Sequence, residues 1–320
     1  MEMMSMLATA ALAAAPTSAA DIPVQIGQGP TALHGAMIRP QGQAAPAAVL
    51  IVPGSGPADR DGDDRKDFEH ARTYWYMAQA LAARGIVSLR YDKRGTAESA
   101  GAGEAASVWD TVDEAAGWAR FLARQPGVRC VVALGHSEGA LIAALASHKV
   151  KLCGLIDLSG SGRGQQALIE EQTVMLHVAP DVAAQIHAAL EAEKVGRPIP
   201  AVPKGYDRVF GPGAEPYLRS EINLDPAAEA GRVKVPMLVV QGDNDVQVKV
   251  EDARRLAAAA HVQPVIIPGM NHMLKLAPKD VRGNFMTYLD PNLPLAPGVA
   301  EVVADFVLQA DREPSPPQPR

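Results

Sequence analysis

The chain has 320 residues, 48% of them hydrophobic and 21% charged, and its 30 basic and 36 acidic side chains leave a formal net charge of −6. That balance is typical of a globular protein and excludes an intrinsically disordered chain, which lacks the apolar residues for a core. The 28 Gly and 26 Pro follow no period, which excludes collagen, and without a basic stripe neither nucleic acid nor an anionic membrane is an expected partner.

Residues 6–15, MLATAALAAA, form a short apolar run, followed by Pro16 and the small residues 17–20. This is the grammar of a secretory signal peptide, although MEMMS lacks the usual Lys or Arg. Residues 1–20 are therefore expected to be a signal peptide and the mature protein to be periplasmic or secreted. The alternatives are a misassigned start or an Ala-rich leader, with a cytoplasmic protein. The run is shorter than the ~20 apolar residues a membrane span needs, and no later segment is longer. At the other end, the Pro-rich residues 311–320 read as a disordered tail.

Between these ends, strands alternate with helices. Residues 31–39, 47–52, 86–91, 130–134, 153–158, 236–241 and 262–267 read as strands, several of them continuous apolar runs such as Ala47-Ala48-Val49-Leu50-Ile51-Val52. Residues 70–84, 107–125, 139–149, 250–260 and 297–309 read as helices. In the second of these, Val108, Val112, Ala115, Ala119 and Leu122 share one face, and Asp110, Asp113 and Glu114 suit the N-terminal dipole. The alternation implies βαβ units and a mostly parallel sheet. Residues 160–232 differ, with no strand and two helical patterns at 164–178 and 180–195. A structureless loop of that length is uncommon, so they are expected to form a helical cap on a core of residues 21–159 and 233–310. Two ordinary helices and a long surface loop are the alternative.

Gly135-His136-Ser137-Glu138-Gly139 is a G-x-S-x-G sequence between an apolar strand and a small-residue helix. That context marks a nucleophile elbow, a sharp turn that exposes the Ser hydroxyl while its glycines let strand and helix approach. A neutral Ser hydroxyl needs a base and a group to orient that base. Asp245, in Gly242-Asp243-Asn244-Asp245, and His272, in Gly269-Met270-Asn271-His272, follow in the required order, each just past a strand C-terminus. Asp243 and Asp157 remain rival acids. An oxyanion needs two preorganised N–H donors, here expected from the backbone of Glu138 and from Ser55, with Gly56 second to Ser55. Gly54, Gly56 and His136 are expected to border the substrate.

These segments resemble the α/β-hydrolase superfamily, from about residue 48 to 309. PGSGPADRDG (53–62), LRYDKRGTAES (89–99), GHSEG (135–139), QGDNDVQV (241–248) and GMNH (269–272) stand in the family order. The chain looks most like bacterial serine esterases of the dienelactone-hydrolase and serine-aminopeptidase-like branch. It departs in having Pro53 where many relatives have His, and Ala97 where Gly is usual after Arg94-Gly95. The resemblance implies the α/β-hydrolase fold, with a mostly parallel eight-stranded sheet flanked by helices and a helical cap after the sixth strand. It also implies Ser137, Asp245 and His272 as triad, with oxyanion donors at Ser55 and Glu138. The activity to expect is hydrolysis of small-molecule carboxylic esters, without metal or organic cofactor.

Other readings stay open at this stage. An aminopeptidase or amidase would need an acidic pocket, for which Glu170, Glu171, Glu191 and Glu193 are the cap candidates. A non-catalytic binding module is the reading from another class. Met175, Leu176, Tyr206, Phe210 and Tyr217 could line an apolar pocket or form the cap's own core. Asp59-Arg60-Asp61-Gly62-Asp63-Asp64 superficially suggests calcium, but its Gly and Glu spacing is wrong for an EF-hand loop. Cys130 and Cys153 open neighbouring strands, so a disulfide is conceivable, but two buried free thiols are the reading preferred here. Oligomeric state is not legible.

Overall fold

In the computed structural model, residues 19–42, 46–64 and 69–310 can be described. The expected signal segment lies almost wholly outside them, and so does the expected tail. The strands are β1 (Asp21–Ile26), β2 (Leu33–Ile38), β3 (Ala47–Val52), β4 (Val87–Tyr91), β5 (Cys130–His136), β6 (Gly154–Leu158), β7 (Met237–Gly242) and β8 (Val265–Ile267). They form one sheet in the order β1-β2-β4-β3-β5-β6-β7-β8. β2 pairs antiparallel with β1 and β4, and all other neighbours are parallel.

Every residue of β3 and β6 is buried, which explains their unbroken apolar sequences: helices cover both faces of a parallel sheet. Helices α1 (Thr73–Ala83) and α11 (Val299–Ala310) cover one face. Helices α2 (Val108–Ala123), α3 (Glu138–Ala146) and α9 (Val250–Ala259) cover the other. There Trp118 of α2 is fully buried and stacks on Tyr91, with ring centroids 5.6 Å apart.

Between β6 and β7 the chain forms α4 (Gln165–Met175), α5 (Pro180–Lys194), α6 (Asp207–Phe210), α7 (Glu215–Glu221) and α8 (Pro226–Arg232). Ile186, Ala189, Leu190, Phe210, Leu218 and Ile222 make a separate small core there. Ala230 of α8 instead belongs to the core under the sheet. After β8 comes α10 (Val281–Met286).

The preference for free thiols at Cys130 and Cys153 is overturned. The two residues sit side by side where β5 and β6 begin, with Cα atoms 5.7 Å apart, and are joined as a disulfide. The parallel pairing that sets Val132 opposite Gly154 brings the two Cα atoms to the separation a bridge needs.

Candidate active site

The loops after β3, β5, β7 and β8 meet at the C-terminal edge of the sheet, where open α/β sheets place their sites. Ser137 lies between β5 and α3 with φ 55° and ψ −125°, outside the conformations a serine adopts without strain. The surrounding structure imposes that turn. A Cβ on Gly135 would come within 2.2 Å of Gly139 O, and one on Gly139 within 2.3 Å of Val52 O. Strand, turn and helix pack so closely here that only glycine fits at either position.

His272 Nε2 is 3.0 Å from Ser137 Oγ, and His272 Nδ1 is 2.8 Å from Asp245 Oδ2. The carboxylate accepts only, so Nδ1 carries the proton and Nε2 is free to accept from the Ser hydroxyl. Asp245 is 5% exposed. Burial raises its pKa, but His272 and the backbone N–H groups of Val248 and Gln247 outweigh that and hold it below the usual carboxylate range. Gln241 donates a further hydrogen bond to Asp245 Oδ2. The rival acids are engaged elsewhere: Asp243 Oδ1 accepts from Gly269 N–H and Asp157 Oδ1 from Gly160 N–H.

Serine, histidine and aspartate thus form one hydrogen-bonded line on an eight-stranded sheet, and known proteins share the fold that carries it. An esterase from Pyrococcus furiosus aligns with 80% of this chain and 84% of its own at a TM-score of 0.54 and 17% identity. Est1E from Butyrivibrio proteoclasticus aligns with 91% of this chain and 99% of its own (TM-score 0.55, 16% identity). The proline iminopeptidase of Mycobacterium smegmatis does so over 91% and 99% (TM-score 0.57, 17% identity). The family model "Serine aminopeptidase, S33" matches residues 68–199. This chain has the α/β-hydrolase fold. In sequence it is 27% identical over 247 residues to Esterase EstD of Thermotoga maritima, a match covering 76% of this chain and 58% of that protein.

On this fold, Ser55, Ser137, Glu138 and His272 line one small cavity of about 90 Å³. Ser55 is exposed and its N–H makes no hydrogen bond among the described residues. Glu138 opens α3, where an N–H has no intrahelical acceptor. Three residues expected to border the substrate do not line this cavity. Gly54 is tied on both sides, its N–H donating to Tyr74 Oη at 2.9 Å and its carbonyl accepting from Lys93 Nζ at 2.9 Å. Gly56, with φ +80°, shapes the loop. His136 is buried and turned away, with Tyr74 Oη 3.0 Å from Nδ1 and the His272 carbonyl 2.8 Å from Nε2.

The direction of these bonds can be assigned. Burial pushes the His136 pKa down to about 3, aided by His272, so the ring is neutral. The His272 carbonyl can only accept, hence Nε2 donates to it and Nδ1 accepts from the tyrosine hydroxyl. The chain Gly54 N–H to Tyr74 O–H to His136 Nδ1, and His136 Nε2–H to His272 O, joins the loop carrying Ser55 to the loop carrying the histidine. Tyr74, Lys93 and Gln241 were not singled out from sequence. The available signal was a polar residue closing an apolar strand, as Gln241 does in β7.

Of the two readings of the cap's large side chains, the cap core is the one that holds for Phe210 and Tyr206. Phe210 is buried in the cap's own core, Tyr206 packs against it, and Leu176 is exposed. Tyr217 donates to Glu138 Oε1 at 2.7 Å. None of these lines the cavity, whose cap wall includes Gln165, Leu168, Gln172 and Glu221. The four glutamates considered for an amine pocket are engaged elsewhere: Glu170 with His187, Glu171 with Arg163, Glu191 with Gln166 and Glu193 with Arg219. In the acidic loop, Asp61 pairs with Arg90, and Asp59 Oδ1 accepts from the N–H groups of Asp61 and Asp63. Among the described residues no group of three or more His, Cys, Asp or Glu is disposed to hold a metal, and no helix is long and apolar enough to cross a membrane.

Proposed function

We propose that the protein is a serine hydrolase of small carboxylic esters that works through an acyl-enzyme. The observation that carries this reading is the hydrogen-bonded line from Ser137 Oγ through His272 to Asp245. The esterases among its relatives support the substrate class.

Ser137 Oγ attacks the ester carbonyl while His272 Nε2 takes its proton. The negative oxygen that develops is held by the N–H groups of Ser55 and Glu138, donors fixed in advance because Gly54 is clamped by Tyr74 and Lys93. Asp245 stabilises the imidazolium. The proton then passes from His272 to the departing alkoxide, leaving an acyl group on Ser137. Water enters along the same path, His272 takes its proton, and the acid leaves as Ser137 regains its hydrogen.

Residues 160–232 act in this reading as a cap that shapes the acyl pocket, which the cavity-lining positions of Gln165, Leu168, Gln172 and Glu221 support. Export belongs to the same proposal, supported by the Cys130–Cys153 disulfide, since such bridges persist in oxidising compartments. The test is turnover of short-chain p-nitrophenyl esters. Ser137→Ala should lower kcat by about 10⁴-fold or more, and activity surviving that change would refute the assignment.

A further inference from the structure

Glu221 closes α7, and its side chain lines the same cavity as Ser137, Ser55 and His272. The residue is 5% exposed. No side chain or backbone group among the described residues hydrogen-bonds its carboxyl. Its neighbours are satisfied: Glu138 accepts from Tyr217, and Arg163 on the cavity wall is held by Asp252 and Glu171. A carboxyl this deeply placed and without a protein partner is costly, and the cavity it lines is shared with the nucleophile. The wall beside it is polar, with Gln165 and Gln172, and the cap's larger apolar side chains pack elsewhere. Burial, and then the Glu138 carboxylate, push Glu221 well above the usual range against the opposing charge of Lys93. The group is therefore ready to accept a hydrogen bond as a neutral acid, or to ionise when a cation arrives beside it.

We propose that Glu221 is a specificity-determining residue that accepts a hydrogen bond from a hydroxyl or ammonium group on the acyl part of the substrate. This inference rests on the esterase reading above. A plain alkyl acyl group leaves the carboxyl unpaired, whereas a donor-bearing one satisfies it. Sites built around such a bond discriminate strongly against the analogue that lacks it.

The experiment compares methyl butanoate, methyl 3-hydroxybutanoate and methyl 3-aminobutanoate, following acid release by titration for wild type, Glu221→Gln and Glu221→Leu. The readout is the ratio of kcat/KM on each donor-bearing ester to that on methyl butanoate. Glu221→Leu should lower the ratio by about tenfold or more for at least one donor-bearing ester. Glu221→Gln keeps the carbonyl acceptor and the shape, so it should preserve a hydroxyl preference and abolish an ammonium one. Ratios that stay within about threefold in both variants, with melting temperatures at the wild-type value, overturn the role of Glu221 and leave the esterase reading standing. If wild type hydrolyses none of the three esters and resists a fluorophosphonate, the esterase reading fails and takes this inference with it.

Discussion

Asp245 stays charged in a buried site because its oxygens meet His272 Nδ1, Gln241 and two backbone N–H groups. The hydrogen-bonded grouping of Ser137, His272 and Asp245 was legible in the sequence because each stands in a short local motif. The bonding of Tyr74 and His136 was not, since those bonds span 62 and 136 residues. Tyr74→Phe would leave Gly54 N–H and His136 Nδ1 unpaired, a cost of about 1–3 kcal/mol. It would also loosen the Ser55 loop, so kcat should fall by about 10- to 100-fold while KM changes little; steady-state kinetics on a p-nitrophenyl ester would show the split. The same chain has a pH signature. His136 stays neutral in the folded protein down to about pH 3, while unfolded it takes up a proton near 6.5. Between those values the unfolded state binds more protons, so acidification removes stability, by up to about 1.4 kcal/mol per pH unit. Denaturant titrations at pH 6 and pH 4 should therefore show a smaller loss in His136→Gln than in wild type. An equal loss would contradict the neutral, buried ring.

At the scale of elements, the central strands were readable because a parallel sheet covered on both faces needs unbroken apolar runs, as in β3 and β6. β1 was missed for the opposite reason. It is an edge strand with a mostly exposed DIPVQI sequence and a proline within it, and edge strands carry little hydrophobic signal. Helices α6, α7 and α8 escaped notice because they run only four to seven residues, too short for periodicity to declare itself. The disulfide depends on register between β5 and β6, which spacing alone does not give. It closes a loop of sequence separation 23, so replacing both cysteines by serine should cost about 3 kcal/mol. Thermal unfolding measures that cost. Thiol titration of the denatured, unreduced protein should find no free thiol, and two free thiols would contradict the bridge.

For the whole molecule, the order of motifs along the chain was enough to anticipate the sheet, the loop cluster at its C-terminal edge and the insertion between β6 and β7. The character of the pocket was not legible. Phe210 and Tyr206 pack into the cap core, while Glu221 and Gln172 reach the cavity. Which side of a short helix faces a distant nucleophile is decided by how the insertion docks, and no local pattern records that. The central claim is that Ser137 is the nucleophile of a working triad. Peptide mapping by mass spectrometry after treatment with a fluorophosphonate tests it most directly. The account predicts one adduct, on Ser137, that is lost in Ser137→Ala and forms far more slowly in His272→Ala. Continued ester turnover with no adduct, or with the adduct on another residue, would contradict it.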